Sequence, residues 1–269
     1  MLIVVKVGGN VAIDIASSEL VPDLKNVLSE NKVILVHGGG DEVTEIASKL
    51  GKEQKFVISP EGFRSRYTDK ETVEIYAMVI AGKINKQIVS ILQGKDIPAV
   101  GLSGLDGGLI RANRKKRIIA VDEYGRKRVI EGGYTGKISE VNVHLIQHLM
   151  DDGYVPVIAP LALGEEFELL NVDADRAAAY VAGALKADRL LLLTDVEGLI
   201  LNNEVVPKLN LQEVKQILPK IGPGMITKVY AAVEAVEMGV QEALISYGLG
   251  KLPISSALKH ECGTVITRE

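Results

Sequence analysis

The feature that most constrains this chain is its opening run, Leu2-Ile3-Val4-Val5-Lys6-Val7, followed at once by Gly8-Gly9. A run this short, apolar and β-branched reads as a strand buried on both faces, as in the middle of a parallel sheet. The glycines permit a tight turn. Lys6 then lies at the strand's C-terminal end, the edge over which open α/β sheets bind ligands. A second run, Lys32 to Val36, ends in His37-Gly38-Gly39-Gly40. Two such strand-to-glycine turns are either ordinary turns or a cradle of backbone N–H groups for an anion such as phosphate.

Strand-like and helix-like segments alternate along most of the chain. Helical patterns cover Ser18 to Glu30, Asp41 to Leu50 and Asp69 to Leu92, the last softened around Gly82. Pro98 to Leu102, Tyr154 to Ala159, Arg189 to Leu193, Glu242 to Ser246 and Gly263 to Ile266 read as strands, with helices at Val143 to Met150, Asp173 to Leu185 and Gly224 to Met238. This rhythm predicts an α/β fold with a mainly parallel sheet covered by helices on both faces. Residues 105–140 interrupt it. Leu109 to Ala112, Arg117 to Val121 and Arg126 to Ile130 read as short strands, with Asp122 to Gly125 as a hairpin turn. The interruption is basic: Arg111, Arg114, Lys115, Lys116, Arg117, Arg126, Lys127 and Arg128 face only Asp122 and Glu123. Such a run is either a solvated face or a dock for an acidic partner.

Composition narrows the class. The net charge of −4 gives no global reason to expect nucleic acid. The single Cys262 excludes an intrachain disulfide framework and a zinc site built on several cysteines, and fits a reducing, cytoplasmic setting. The N-terminal run is too short for a secretory signal and is broken by Lys6. No stretch approaches ~20 uninterrupted apolar residues, so no membrane span is expected. P-loop, dinucleotide and protein-kinase signatures are missing, and the histidines make no metal set.

Four further clusters could carry chemistry. Gly62 to Asp69 places Arg64 and Arg66 before a helix start, as a surface pair or as bidentate ligands for a carboxylate. Asn171-Val172-Asp173-Ala174-Asp175 joins a strand end to a helix start, where Asp173 can cap, Asn171 can donate and Asp175 can accept from lysines. Thr194-Asp195-Val196-Glu197-Gly198 follows the most apolar strand, either as a plain turn or as a second ligand edge. Gly224-Met225-Ile226-Thr227-Lys228 enters a helix with a lysine near its N-terminal end, where an anion is favoured.

Taken in order, Lys6-Val7-Gly8-Gly9, His37-Gly38-Gly39-Gly40, Arg66-Tyr67-Thr68-Asp69, Asn171 to Asp175, Thr194 to Gly198 and Gly224 to Lys228 resemble the motifs of the amino acid kinase family over essentially the whole chain. The resemblance implies a three-layer αβα sandwich with a mainly parallel sheet of about eight strands. It implies one structural domain with an acceptor-substrate lobe over 1–170, carrying the basic insertion 105–140, and an ATP-binding lobe over 171–269. It also implies transfer of the γ-phosphoryl group of ATP, bound with Mg²⁺, to a side-chain carboxylate. Lys6 and Lys228 would then stabilise charge on the transferring group, with Asp175 holding both. Gly8, Gly9, Gly39 and Gly40 would offer backbone N–H groups, Gly39 and Gly40 also to the acceptor. Arg66 and Asn171 would bind the acceptor, and Thr194, Asp195, Gly198, Gly224, Met225 and Ile226 the nucleotide. No protein metal ligand is named.

Within the family the resemblance is nearest to N-acetylglutamate kinase and to the kinases acting on 2-aminoadipate or glutamate held by a small acidic amino-group carrier protein. Three features favour the carrier-linked branch. The segment from Gly62 to Asp69 is longer than the acetylglutamate pattern, so Arg66 is the match and Arg64 is extra. Lys137, in Gly133-Tyr134-Thr135-Gly136-Lys137-Ile138, stands where the acetylglutamate enzymes usually carry an acid. The cations Arg114, Lys115, Lys116 and Arg117 could dock the carrier. The expected product is an acyl phosphate in lysine or arginine biosynthesis, made by a homodimer. N-acetylglutamate kinase is the alternative activity, and a non-catalytic ligand sensor the alternative of another kind. The chain opens directly on its first strand, so feedback through an extra N-terminal helix is not expected.

Overall fold

The computed structural model describes residues 1–9, 11, 15 and 18–269. Its central sheet has eight strands, β1 (Leu2–Val7), β2 (Lys32–His37), β3 (Ala99–Ser103), β4 (Val155–Ala159), β5 (Arg189–Thr194), β6 (Lys208–Asn210), β7 (Glu242–Tyr247) and β8 (Thr264–Thr267). Across the sheet they lie in the order β6-β8-β7-β5-β1-β2-β4-β3. Pairing is parallel from β7 to β3, while β8 runs antiparallel to β7 and carries β6 parallel to itself. Among the described residues the α-helices that cover the sheet are α1 (Leu20–Leu28), α2 (Gly40–Lys49), α3 (Lys70–Gln93), α4 (Val143–Asp151), α5 (Ala174–Ala184), α6 (Leu211–Ile217), α7 (Met225–Glu237) and α8 (Pro253–Leu258).

The opening strand is central, as its sequence requires. β1 lies between β5 and β2, with Lys6 in register with Leu192 on one side and Val36 on the other. Successive side chains of a strand point to opposite faces. Ile3, Val5 and Val7 enter the core layer shared with α1, α2, α3 and α8. Val4 enters the opposite layer, under α4, α5 and α7. Lys6 has the parity of Val4, so it emerges beneath α5 and α7. The result is the three-layer αβα sandwich expected.

α3 is not a uniform helix. Its middle turns, Met78–Ile84, widen to π geometry around the Gly82 that softens the sequence pattern. By length and apolar content alone this helix could cross a membrane, but Val73, Val79, Ile80, Ile84, Ile88 and Leu92 are buried in the protein.

The basic interruption is divided between two small sheets. Leu169–Asn171, Leu161–Leu163, Ile110–Arg114 and Gly136–Val141 form one, and Arg64–Arg66, Phe56–Ile58, Arg117–Val121 and Lys127–Glu131 the other. The hairpin turn at Asp122 to Gly125 forms as expected. Asp122 accepts the backbone N–H groups of Tyr124 and Arg126 and pairs with the side chains of Arg126 and Arg128. The backbone bond from Arg126, with the Arg128 side chain next, pulls its carboxyl down to about 2. Two arginines of the basic run therefore have a partner within their own hairpin.

One buried carboxylate ties the two ends of the chain together. Asp23, in α1, is fully buried and accepts from Ile254 N at 2.7 Å and Ser255 N at 2.9 Å, and from the Ser255 hydroxyl, at the start of α8. Asp23→Ala would strand two amide donors, that of Ile254 fully buried and that of Ser255 partly so. Equilibrium urea unfolding should show a loss of about 2–4 kcal/mol; a loss below 1 kcal/mol would mean that water replaces the carboxylate.

Candidate active site

The site forms where the C-terminal ends of β5, β1 and β2 lie side by side. The ladder continues past each strand: Gly8 N donates to Leu193 O at 3.1 Å, and Gly38 N to Val7 O at 2.9 Å. The two glycine turns are thereby brought together, so that a Cβ on Gly9 would stand 3.5 Å from Gly39 N. Gly39 has φ of +141°, and a side chain there would run into Ile84 of the widened turn of α3. Only glycine suits that position. The N–H groups opening α2 follow directly.

Three charged side chains meet above this edge. Lys6 Nζ lies 2.8 Å from Asp175 Oδ1, and Lys228 Nζ donates to Asp175 Oδ2 at 3.1 Å. Lys6 and Asp175 are each 5% exposed. Asp175 comes from the first turn of α5, whose N-cap is Asp173, accepting from Arg176 N at 2.9 Å. Lys228 comes from the first turn of α7. The facing surfaces of these helices are rich in buried alanine, including Ala178, Ala182, Ala231 and Ala235, which lets their backbones approach.

Burial disfavours every charge here, and the mutual attraction decides the outcome. Burial raises Asp175, but the two ammonium groups overcome it and hold the carboxyl below its usual range. Burial lowers Lys6, yet the charge of Asp175 beside it lifts it above the ordinary lysine value. Lys228 goes the other way, lowered by burial and by the Lys6 charge. Asp173, crowded into the same site and close to the charge of Asp175, is raised. Two cations share one ionised carboxylate, an arrangement that favours an anion beside them.

Two clefts meet at this point. One, of about 540 Å³, is lined by Lys6, Gly8, Gly9, Gly38, Gly39, Gly40, Thr194, Asp195, Gly224, Met225 and Lys228. The other, of about 270 Å³, is lined by Arg64, Arg66, Lys115, Lys137, Asn171 and Arg176. Gly40, Tyr76, Asp173 and Ala174 border both. The structure thus gathers most of the expected residues into one connected space, with the phosphate-type loops at one end and a cationic pocket at the other.

Several placements differ from the expectation or refine it. Ile226 is buried in the apolar core beneath α7. Gly198 packs beside Thr264, whose hydroxyl accepts Leu199 N at 2.9 Å, outside the lining of the two clefts. Arg66 is tied down by Gly40 O at 2.7 Å, Thr44 Oγ1 at 2.9 Å and the Gln54 side chain. It therefore fixes the start of α2 as well as bordering the cationic cleft. Asn171 donates to Thr68 Oγ1 at 3.0 Å. Thr194 Oγ1 donates to Asp195 Oδ1 at 3.2 Å.

The proposed docking set divides. Arg114 Nε donates to Gly133 O at 2.6 Å, and its guanidinium lies 4.0 Å from the Tyr134 ring. Lys115 borders the cleft and is lowered by burial and by Arg176. Lys116 and Arg117 are exposed. Alternation along Ile110–Arg114 and the crossing between the two small sheets decide this, and a count of cations could not. Sequence reasoning also passed over Tyr76, which reads as one more apolar position of α3, and Arg176, held by Glu234 at 2.8 Å.

Among the described residues no group of three or more His, Cys, Asp or Glu could hold a metal ion. Asp175 is engaged by its two lysines.

The chain belongs to the amino acid kinase family, whose model matches residues 1–246. A relative from Nitrosopumilus maritimus, provisionally named a [LysW]-aminoadipate/[LysW]-glutamate kinase, is 54% identical over 268 residues, covering 100% of both chains. A protein of Saccharolobus islandicus named [LysW]-aminoadipate/[LysW]-glutamate kinase is 48% identical over 266 residues, covering 98% of this chain and 99% of its own. Among solved structures, smu.665 from Streptococcus mutans superposes with a TM-score of 0.82 at 24% identity, over 100% of this chain and 99% of that one. Carbamate kinase from Giardia lamblia bound to AMP-PNP gives 0.66 at 18% identity, over 100% and 98%. Both share the fold.

The electrostatics generate a stability prediction. Asp175→Asn leaves two buried lysines with no counter-charge, and should cost about 3–5 kcal/mol at pH 7. A carboxyl depressed in the folded state contributes stability above its unfolded pKa of about 3.9 and loses it as pH falls through the lower folded value. Urea titrations of wild type and variant should therefore differ fully at neutral pH and converge in acid below that range. A constant gap down to strong acid would assign the loss to packing.

Proposed function

We propose that this chain is an ATP-dependent kinase that phosphorylates the side-chain carboxylate of 2-aminoadipate or glutamate attached by its amino group to a carrier protein, giving an acyl phosphate. The observation that carries the reading is the Lys6–Asp175–Lys228 cluster at the junction of a glycine-lined cleft and a cationic one. Full-length relatives named for this activity, at 48% and 54% identity, support it.

The residues suit the reaction. Phosphoryl transfer depends on alignment and on stabilising charge over the transferring group, with little covalent chemistry left to the protein. The acceptor carboxylate is already ionised at neutral pH, so no general base is needed. Lys6 and Lys228 offset charge that spreads onto the phosphoryl oxygens and the bridging oxygen. Asp175 keeps both ammonium groups in place between turnovers. The N–H groups of Gly9, Gly39 and Gly40 supply directional donors at the same edge; that of Gly8, expected to join them, is taken up by Leu193 O in the sheet ladder. Thr194, Asp195, Gly224 and Met225 border the nucleotide side, in a C-terminal lobe over 171–269. Residues 1–170 supply the acceptor side, through Arg66, Asn171, Lys115 and Lys137. Mg²⁺ would come bound to the ATP phosphates, where it would supply further charge neutralisation.

A carrier-borne acceptor fits the cationic cleft and the sheet beside it. Lys116 and Arg117 are exposed on that sheet, as are Phe56, Ile58, Ile119 and Val129. An acidic carrier with an apolar contact patch would be steered there by charge. Lysine biosynthesis is the setting for the aminoadipate substrate, and arginine biosynthesis for glutamate. A cytoplasmic homodimer belongs to the same reading.

Two experiments test this. Acyl phosphate trapped with hydroxylamine should form on carrier-linked aminoadipate or glutamate and not on free N-acetylglutamate; comparable kcat/KM on the free compound would replace this reading with that of an acetylglutamate kinase. In the same assay Lys6→Ala and Lys228→Ala should each lower kcat about 10²–10³-fold with KM changed little, and near-normal turnover by either would remove that lysine from the mechanism. Reversing Lys116 and Arg117 to Glu should raise the carrier's KM several-fold at low salt, fade at high salt, and leave kcat in place. A KM that does not respond at low salt would move the carrier to another face.

A further inference from the structure

His37 ends β2 and is fully buried, as is Asn85, the first residue after the widened turn of α3. The two are in contact, with Asn85 Nδ2 3.1 Å from His37 Nε2. The other imidazole nitrogen, Nδ1, lies 2.9 Å from Gly38 O. The proton positions follow from the neighbours. Asn85 Nδ2 also faces Val157 O at 2.9 Å, which can only accept, and Asn85 Oδ1 accepts from Lys86 Nζ at 2.9 Å. The amide orientation is thereby set, and Nδ2 is the donor. Nε2 must therefore carry the lone pair, and Nδ1 the proton, which it donates to Gly38 O. Burial holds this imidazole neutral, down to about 4.

The target of that proton matters. Gly38 O and Gly39 N–H belong to one peptide unit, and in a trans peptide they point in opposite directions. With glycine on both sides, rotating that unit meets little steric resistance. Nothing in Gly38 or Gly39 themselves chooses the orientation. On the far side, Gly38, Gly39 and Gly40 border the cleft that holds Lys6 and Lys228. Among the described residues, Gly39 N–H has no protein acceptor.

We propose that His37 is a positioning residue: by donating Nδ1–H to Gly38 O, under the direction of Asn85, it locks the Gly38–Gly39 peptide so that Gly39 N–H faces the transferring phosphoryl group. This rests on the reading of the cleft as the phosphoryl site. Asn85 links the lock to β4 and to α3, whose Ile80 and Ile84 fill the space that a side chain on Gly39 would need. The second glycine turn is thus aimed by a fully buried hydrogen-bond chain that never touches substrate.

Two amide replacements separate aiming from mere packing. In His37→Asn the side-chain amide can stand where Nδ1 was and still donate to Gly38 O. In His37→Gln it extends to the Nε2 position and leaves Gly38 O without its donor. Both variants lose volume and should lose thermal stability to a similar degree. The expected result is kcat reduced about 10–100-fold in His37→Gln, within a few-fold of wild type in His37→Asn, and little change in KM for ATP in either. Equal kcat in the two variants would overturn the proposal. Wild-type protein with ¹⁵N-labelled histidine supplies a measurement independent of whether the variants fold: Nδ1 should carry the proton at neutral pH, and a proton on Nε2 would overturn the proposal outright. Lys6→Ala, assayed in parallel on whichever acceptor is turned over, keeps the two readings distinguishable. If Lys6→Ala is inactive while the His37 variants match each other, only the aiming role fails; if Lys6→Ala is fully active, the phosphoryl site itself is misplaced and the proposal falls with it.

Discussion

The carboxylate of Asp175 is the interaction on which the rest of the site depends. Without it, Lys6 and Lys228 could not share a buried space, because each desolvated ammonium repels the other. With it, three elements distant in sequence are held together: the first strand, the helix that follows residue 173, and the helix that follows residue 224. The shared charge also leaves the cluster one positive charge in excess. A site that keeps a surplus cation out of water is organised for an anion before any ligand arrives. That preorganisation depends on packing as well as charge, since only small residues along the facing sides of α5 and α7 let the two helix starts approach the strand end.

Parity sets the rest of the geometry. A strand has two faces, and Lys6 takes the one on which α5 and α7 lie. Shifting the register of β1 by a single residue would turn Lys6 towards α1 and α2 and bring Val7 under Asp175. The continuous pairing on both sides of β1, with Lys6 fixed between Leu192 and Val36, guards against that slip. The buried ladder that stabilises the sheet is therefore also what addresses the lysine to its carboxylate.

Much of this could be read from the chain itself, for definable reasons. Apolar runs such as Leu2 to Val7 and Arg189 to Leu193 are long enough to mark buried strands. Asp173, read as a helix cap, does cap, and Asp69 caps α3 in the same way by accepting from Thr72 N. The resemblance carried by the ordered motifs already implied that Lys6, Asp175 and Lys228 act together. The less legible parts were short or depended on tertiary context. Strands of three residues, such as Phe56–Ile58, Arg64–Arg66 and Leu161–Leu163, have no periodicity to display. Cations adjacent in sequence, such as Lys115 and Lys116, part company because one turns into a cleft and the other away. Tyr76 and Asn85 sit in a helix whose pattern looks purely structural, and only the fold shows the former bordering both clefts and the latter beside His37.

The order of the sheet has a consequence for how this protein comes into being. β8 follows both β6 and β7 in the chain, yet it is inserted between them, and among the described residues β6 has no other neighbour in the central sheet. During synthesis the segment from residue 208 to 210 must wait, unpaired, until residues 264–267 have cleared the ribosome. The half of the molecule that carries Lys228 is thus completed later, whereas β1, β2, β3 and β4 can associate much earlier. A nascent chain would pass through a stage with one finished flank and one open β edge, a stage in which association with another chain competes with closure.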